Sequence, residues 1–169
     1  MDIYLADSHD LERIDHLYRA CIQYLNTQEI YQWDDQYPNI ETYITYIDKR
    51  QLYLFEEDES LIGAVIINEV QADEWQMMDW KSRVAKSRMI HALTINPDFQ
   101  GKGYGQQVLK ACETLCMDQG FSAIRLDAFS ENPAAINLYE KNGYKKVGTV
   151  HFDYKPEGHQ AYHCYEKLM

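Results

Sequence analysis

Gln100-Gly101-Lys102-Gly103-Tyr104-Gly105 sets three alternating glycines between a β-prone run that ends at Ile95 and a run with helical spacing. The first backbone N–H groups of a helix have no internal partner, and the helix dipole places partial positive charge beside them. Glycines let the backbone approach phosphate oxygens closely, so strand, glycine turn and helix start together form an anion cradle. Lys102 adds a cation at the same mouth. Spacing sets aside two other phosphate-binding patterns. Counted from Gly101, the dinucleotide fingerprint needs a glycine where Gln106 stands, and a Walker A loop needs Lys and then Ser or Thr after its second glycine. A turn whose glycines serve only backbone geometry is the plainer alternative, and the strong helix that follows at once argues against it.

The elements that must position this turn follow from apolar periodicity. Ile3 to Leu5 reads as an opening strand, after which Ser8 can cap a helix carrying Leu11, Ile14, Leu17, Tyr18, Cys21, Ile22 and Leu25 at helical spacing. Residues 32–38 break the pattern as an aromatic-rich loop, and a second helix runs from Ile40 to Asp48. Gln51 to Phe55 and Leu61 to Asn68 are β-prone runs around an acidic turn, which is a hairpin pattern. Residues 72–86 read as a loop or short helix, and Arg88 to Asn96 as a further strand ended by Pro97. Gln106 to Gln119 is helical up to Gly120, and Ser122 to Ala128 alternates as a strand. Asn132 and Pro133 are the N-cap and first residue of a helix that ends at Gly143. Two final strands lie near Tyr144 to Phe152 and Gln160 to Leu168. The sum is a mixed α+β chain of the α/β class, with a twisted mixed sheet of about seven strands flanked by about four helices.

The 169 residues suffice for one well-buried domain, and residues 1–169 are expected to form a single one. No run approaches the roughly 20 apolar residues that span a bilayer, and Met1-Asp2-Ile3-Tyr4 lacks the basic and apolar regions of a signal peptide. A cytoplasmic location is therefore expected. Cys21, Cys112, Cys116 and Cys164 are scattered among apolar neighbours and read as core thiols, with no metal site indicated. A net charge of −11 argues against nucleic-acid and anionic-membrane partners and mildly favours a cationic one, such as a protonated amine.

Gln100-Gly101-Lys102-Gly103-Tyr104-Gly105 resembles the acetyl-CoA pyrophosphate loop of the GNAT superfamily of N-acetyltransferases. Leu93-Thr94-Ile95-Asn96-Pro97-Asp98-Phe99 resembles that family's central strand and its exit, and the stretch from Leu126 through Asn132, Tyr139 and Tyr144 resembles its later strand–helix segment. Both motifs stand in the family's order, and the element order is similar over the whole chain. The resemblance implies a GNAT-like fold and direct acetyl transfer from acetyl-CoA to an amine in a ternary complex. A non-catalytic acyl-CoA-binding or sensing module on the same fold is the alternative.

On that resemblance, the backbone N–H groups of Gln100, Gly101, Lys102, Gly103, Tyr104, Gly105 and Gln106 hold the pyrophosphate. The backbone of Leu93, Thr94 and Ile95 pairs with the pantetheine arm, and Asn132 contacts the cofactor or caps its helix. Tyr139 matches the family's tyrosine that supplies a proton or hydrogen bond to the departing thiolate, with packing as the plain alternative. A lysine-like amine with a pKa of about 10.4 must lose a proton before it attacks. His91, two residues before Leu93 on the same face of the central strand, is the candidate base, and Glu69 is the second choice. Trp33, Asp34, Tyr37 and Trp75 are candidates for holding an acceptor, a small-molecule or peptide amine with an apolar portion. Aromatic side chains that merely anchor loops are the competing reading. Homodimerisation is consistent with the resemblance alone.

Overall fold

A computed structural model of the chain describes residues 1–81 and 86–169. Among these residues lie seven strands, β1 (Asp2–Leu5), β2 (Leu52–Glu57), β3 (Ser60–Asn68), β4 (Ser87–Ile95), β5 (Ala123–Phe129), β6 (Lys145–His151) and β7 (Ala161–Leu168), and four helices, α1 (Leu11–Thr27), α2 (Ile40–Asp48), α3 (Tyr104–Asp118) and α4 (Pro133–Lys141). The strands form one open sheet in the order β1-β2-β3-β4-β5-β7-β6. The expected mixed α/β architecture is therefore the one observed. The chain divides into two compact units, residues 1–67 with 91–108 and residues 68–90 with 109–169.

In the first unit, β2 pairs antiparallel with both β1 and β3. The helical spacing of Ile14, Leu17, Tyr18 and Cys21 buries one face of α1 in a core with Tyr43, Leu52, Leu54, Ala64 and Ile66. Asp7, and not Ser8, caps the entry to α1. Its Oδ1 accepts from the backbone N–H of His9 at 2.7 Å, in a capping box with Asp10, and residues 8–10 form a 3-10 turn first. A carboxylate beside the first N–H groups is favoured over a neutral hydroxyl by the helix dipole. Gly63 has a steric reason to be glycine, because an added Cβ would overlap the backbone carbonyl oxygen of Thr94.

In the second unit, β4 runs parallel to β5 from Ser87↔Ala123 to Ile90↔Leu126. Strand β7 pairs antiparallel with β5 along its length and with β6. Asn132 caps α4 as expected, its side chain accepting from Ala135 N–H at 3.1 Å, and Pro133 follows at the first helical position. Residues 73–77 make a single 3-10 turn within the stretch read as a loop or short helix; the rest of that stretch, 82–85, lies outside the described residues.

On β5, Arg125 alternates with the apolar Ile124 and Leu126 and is buried as they are. Its guanidinium pairs with the buried Glu166 carboxylate at 3.2 Å, lies 4.4 Å from the Trp80 ring centroid and donates to Gln71 Oε1 at 3.1 Å. The second Glu166 oxygen accepts from the backbone N–H of Lys81 at 2.7 Å. This pair ties residues 71–81 to β5 and β7. Removing one partner leaves a buried charge uncompensated, so Arg125→Ala should cost about 3–5 kcal/mol. Urea denaturation should show that loss, and a much smaller one for the double change Arg125→Met with Glu166→Leu.

Candidate active site

The glycine turn lies in the first unit, between a 3-10 turn at Pro97–Phe99 and the start of α3. Gly101 and Gly103 have φ of +73° and +86°, values that L side chains rarely adopt, and a Cβ added at either would meet nothing within 4 Å. The backbone here is thus bent by its glycines and open in front of them. The first helical bond of α3 is Gln107 N–H to Gly103 C=O at 3.4 Å, which leaves the preceding amides outside the helical ladder. These residues fit an anionic group such as a pyrophosphate.

Side chains hold the turn in place. Gln100 Nε2 donates to Ile95 C=O at 3.0 Å, closing the turn onto the end of β4. The Lys102 ammonium donates to Asp98 C=O at 2.8 Å and sits 5.4 Å from the Phe99 ring centroid, so the expected cation remains beside the glycines. Tyr104 packs edge-on against Phe99 and its hydroxyl donates to Glu57 at the end of β2. That acceptor raises the Tyr104 pKa and lowers that of Glu57.

On β4, Thr94 is buried while His91, Leu93 and Ile95 are half-buried. Ala92, between His91 and Leu93, has φ +47°. A left-handed residue interrupts the two-residue alternation, and with it the argument that places His91 and Leu93 on one face. Trp33 packs edge-on against Tyr18 at 5.8 Å, on the margin of the core. Asp34 Oδ1 accepts from the N–H groups of Gln36 and Tyr37 at 2.8 and 3.2 Å, which fastens the loop to itself. These contacts favour the anchoring role for Trp33 and Asp34.

The second unit contains Tyr139, Asn132, Trp75 and Glu69. Tyr139 is buried on α4 against Tyr144 and Tyr165, with ring centroids at 5.9 and 6.0 Å. Burial, and then the charge of Asp127, push its pKa well above the ordinary phenol value. Trp75, expected in an accessible loop, is fully buried, and its backbone carbonyl accepts from Trp80 Nε1–H at 2.9 Å. Glu69 is exposed and faces Arg88 Nη1 at 3.6 Å.

Asp127 is the residue that sequence reasoning passed over. Burial raises its carboxyl pKa to about 6, with Glu74 adding to the rise, while Lys155 and the Trp75 side chain oppose it. The residue as a whole is half-buried, so the carboxyl is shielded without being sealed. One signal was present in the sequence, since aspartate is depleted in strand interiors. Its alternation with Leu126 disguised it as a solvent-facing position.

The four cysteines are buried free thiols, and burial raises the pKa of Cys116 to about 11. Among the described residues, no group of three or more His, Cys, Asp or Glu is placed to hold a metal ion, and no helix is long and apolar enough to cross a membrane.

A folded-state pKa above the unfolded value means that the fold binds the Asp127 proton more tightly than the unfolded chain does. The stabilisation is complete below about pH 3.9, and it is lost as pH rises through about 6. Asp127→Asn should therefore raise the melting temperature relative to wild type at pH 7.5, with the gain shrinking toward pH 4. A difference between the two proteins that stays constant from pH 4 to 7.5 would show an ordinary carboxylate.

Comparison with known proteins places these features in a family. The Acetyltransferase (GNAT) family pattern matches residues 12–144. N-alpha-acetyltransferase RimI of Mycobacterium tuberculosis is 32% identical over 73 residues, which cover 43% of this chain and 44% of that protein, less than half of its length. L-amino acid N-acyltransferase MnaT of Escherichia coli is 24% identical over 144 residues, 85% of this chain and 79% of that protein. The structure of yncA from Salmonella typhimurium, solved with its cofactor acetyl-CoA, superposes with a TM-score of 0.71 at 18% identity, covering 99% of this chain and 93% of that one. The family match begins in α1, takes in the glycine turn, Asn132 and Tyr139, and ends at Tyr144, and the chain belongs to the GNAT family of acetyltransferases.

Proposed function

We propose that residues 1–169 act as one N-acetyltransferase domain that moves an acetyl group from acetyl-CoA directly to an amine in a ternary complex. The observation that carries this reading is the pair of left-handed glycines, Gly101 and Gly103, opening α3 with clear space before them in a chain of this family. Backbone N–H groups of residues 100–106 receive the pyrophosphate, and the backbone of Leu93, Thr94 and Ile95 receives the pantetheine arm. Four buried thiols without disulfides fit a reducing cytoplasm.

Acetyl-CoA supplies the activated acyl group. The chain supplies the proton movements, in which the amine nitrogen bonds to the acyl carbon, the carbon–sulfur bond breaks and the amine gives up a proton. Tyr139 is assigned to the sulfur in this reading, as the family resemblance implies. Its raised pKa keeps the phenol protonated, so it acts chiefly as a hydrogen-bond donor that steadies the thiolate. Asp127 takes the amine proton in preference to His91, because its carboxyl is electrostatically coupled to Tyr139 and shifted toward neutrality.

One relative is named an N-alpha-acetyltransferase and another an L-amino acid N-acyltransferase. An α-amino group with a pKa of about 8 loses its proton far more readily than a lysine side chain does, which suits a carboxylate base. We therefore assign the acceptor to the α-amines of amino acids or peptides.

Calorimetric titration with acetyl-CoA, combined with CoA release over a panel of amino acids, peptides and polyamines, tests the reading. Tyr139→Phe should bind acetyl-CoA normally and lose about 100-fold or more in kcat. The wild-type kcat/KM should rise through about pH 6, a limb that Asp127→Asn loses. Binding without turnover of any amine would favour the sensing module, and no acetyl-CoA binding would remove the proposal altogether.

A further inference from the structure

Five non-glycine residues have positive φ among the described residues, and Ala92 is the one inside a strand; Glu29, Arg50, Asp58 and Glu59 occupy turns. An L residue in this conformation costs roughly 1–2 kcal/mol. Such backbone persists only where its surroundings over-determine it, and it concentrates at functional sites.

Helix α1 supplies the constraint. The Tyr18 hydroxyl donates to Ala92 C=O at 2.7 Å, and one turn later the Cys21 thiol donates to Ile95 C=O at 3.4 Å. Tyr18 is completely buried, with its ring stacked on Tyr43 at 5.1 Å and meeting the edge of Trp33. Tyr43 is itself fixed through its hydroxyl to Pro38 C=O at 3.0 Å. Burial holds the Tyr18 pKa well above its ordinary value, so the phenol stays a donor at physiological pH.

The Ala92–Leu93 peptide is trans, and in a trans peptide the N–H points opposite to the C=O. With the carbonyl on Tyr18, the Leu93 N–H is turned away from α1. We propose that Tyr18 is a positioning residue that locks the Ala92–Leu93 peptide and so presents the Leu93 N–H as a fixed donor to the thioester carbonyl of acetyl-CoA. This rests on the acetyltransferase reading above. A donor fixed before reaction needs no reorganisation as negative charge gathers on that oxygen, which is where such a bond lowers the barrier. Trp33, which the sequence offers as an acceptor contact, then acts on catalysis by packing the ring of Tyr18.

The test is isotope-edited infrared spectroscopy of acetyl-CoA carrying ¹³C at the thioester carbonyl, bound to wild type and to Tyr18→Phe. The phenylalanine variant keeps the ring and removes only the hydroxyl. In wild type the carbonyl band should lie below that of free acetyl-CoA. In Tyr18→Phe it should return most of the way, and kcat should fall about 100-fold. The dissociation constant for acetyl-CoA should stay within about threefold. If the variant is too unstable, the same band is read in Tyr18→Phe with Ala92→Gly, since glycine adopts positive φ without the penalty. A lower melting temperature with an unchanged band and kcat would reduce Tyr18 to packing and overturn the proposal. Failure of wild type to bind acetyl-CoA would overturn the cofactor reading and this inference together.

Discussion

Two backbone carbonyls of β4, those of Ala92 and Ile95, are held by side chains of α1 that stand one helical turn apart. Much of the first unit is arranged around that constraint. Packing of the ring beneath a hydroxyl fixes where that hydroxyl points, and the Tyr18 ring is packed by Tyr43 and Trp33. The strand end must also lie close to β3, and Gly63 permits this by leaving room for Thr94 C=O. Ile95 C=O accepts a further bond from Gln100, so the geometry imposed on β4 passes directly into the glycine turn. The turn is open in front and braced behind, as an anion site built on backbone amides requires.

The second unit solves a different problem, the placement of charge in a poorly hydrated interior. Arg125 and Asp127 lie two residues apart on β5 and meet opposite fates. Arg125 has a full set of partners in Glu166, Gln71 and the Trp80 ring, and it serves as a tie between strands and the preceding loop. Asp127 has weaker compensation from Trp75 and Lys155 and so holds its proton to a higher pH. Tyr139 feels that carboxylate and becomes a poorer acid, better suited to donating a hydrogen bond than to releasing a proton. A carboxyl and a phenol thereby acquire shifted proton affinities from one buried neighbourhood.

Local chemistry made much of this legible in advance. Gly101 and Gly103 announce their positive φ because glycine is the residue that adopts it freely, and Asn132 with Pro133 announces a helix start. Ala92 carries no such mark. Alanine favours ordinary backbone everywhere, and the carbonyl of this left-handed residue is bound by a hydroxyl 74 positions earlier in the chain. Trp75 was equally opaque, because an aromatic residue in a charged stretch can face solvent or core, and packing alone put it in the core. Asp7 and Ser8 are neighbours and both capable caps, so the sequence leaves the entry to α1 ambiguous, and the helix dipole favours the carboxylate of Asp7.

The sequence by itself therefore determined the order of strands and helices, the glycine turn at the start of α3, and the motif that carries Asn132 and Tyr139. These depend on apolar periodicity and on conformational preferences that act over a few residues. The tertiary structure alone decided the left-handed twist at Ala92, the burial of Arg125, and the raised pKa values of Asp127 and Tyr139. Each of these is set by groups far away in the chain, and dehydration and hydrogen-bond geometry exist only once those groups have been brought together.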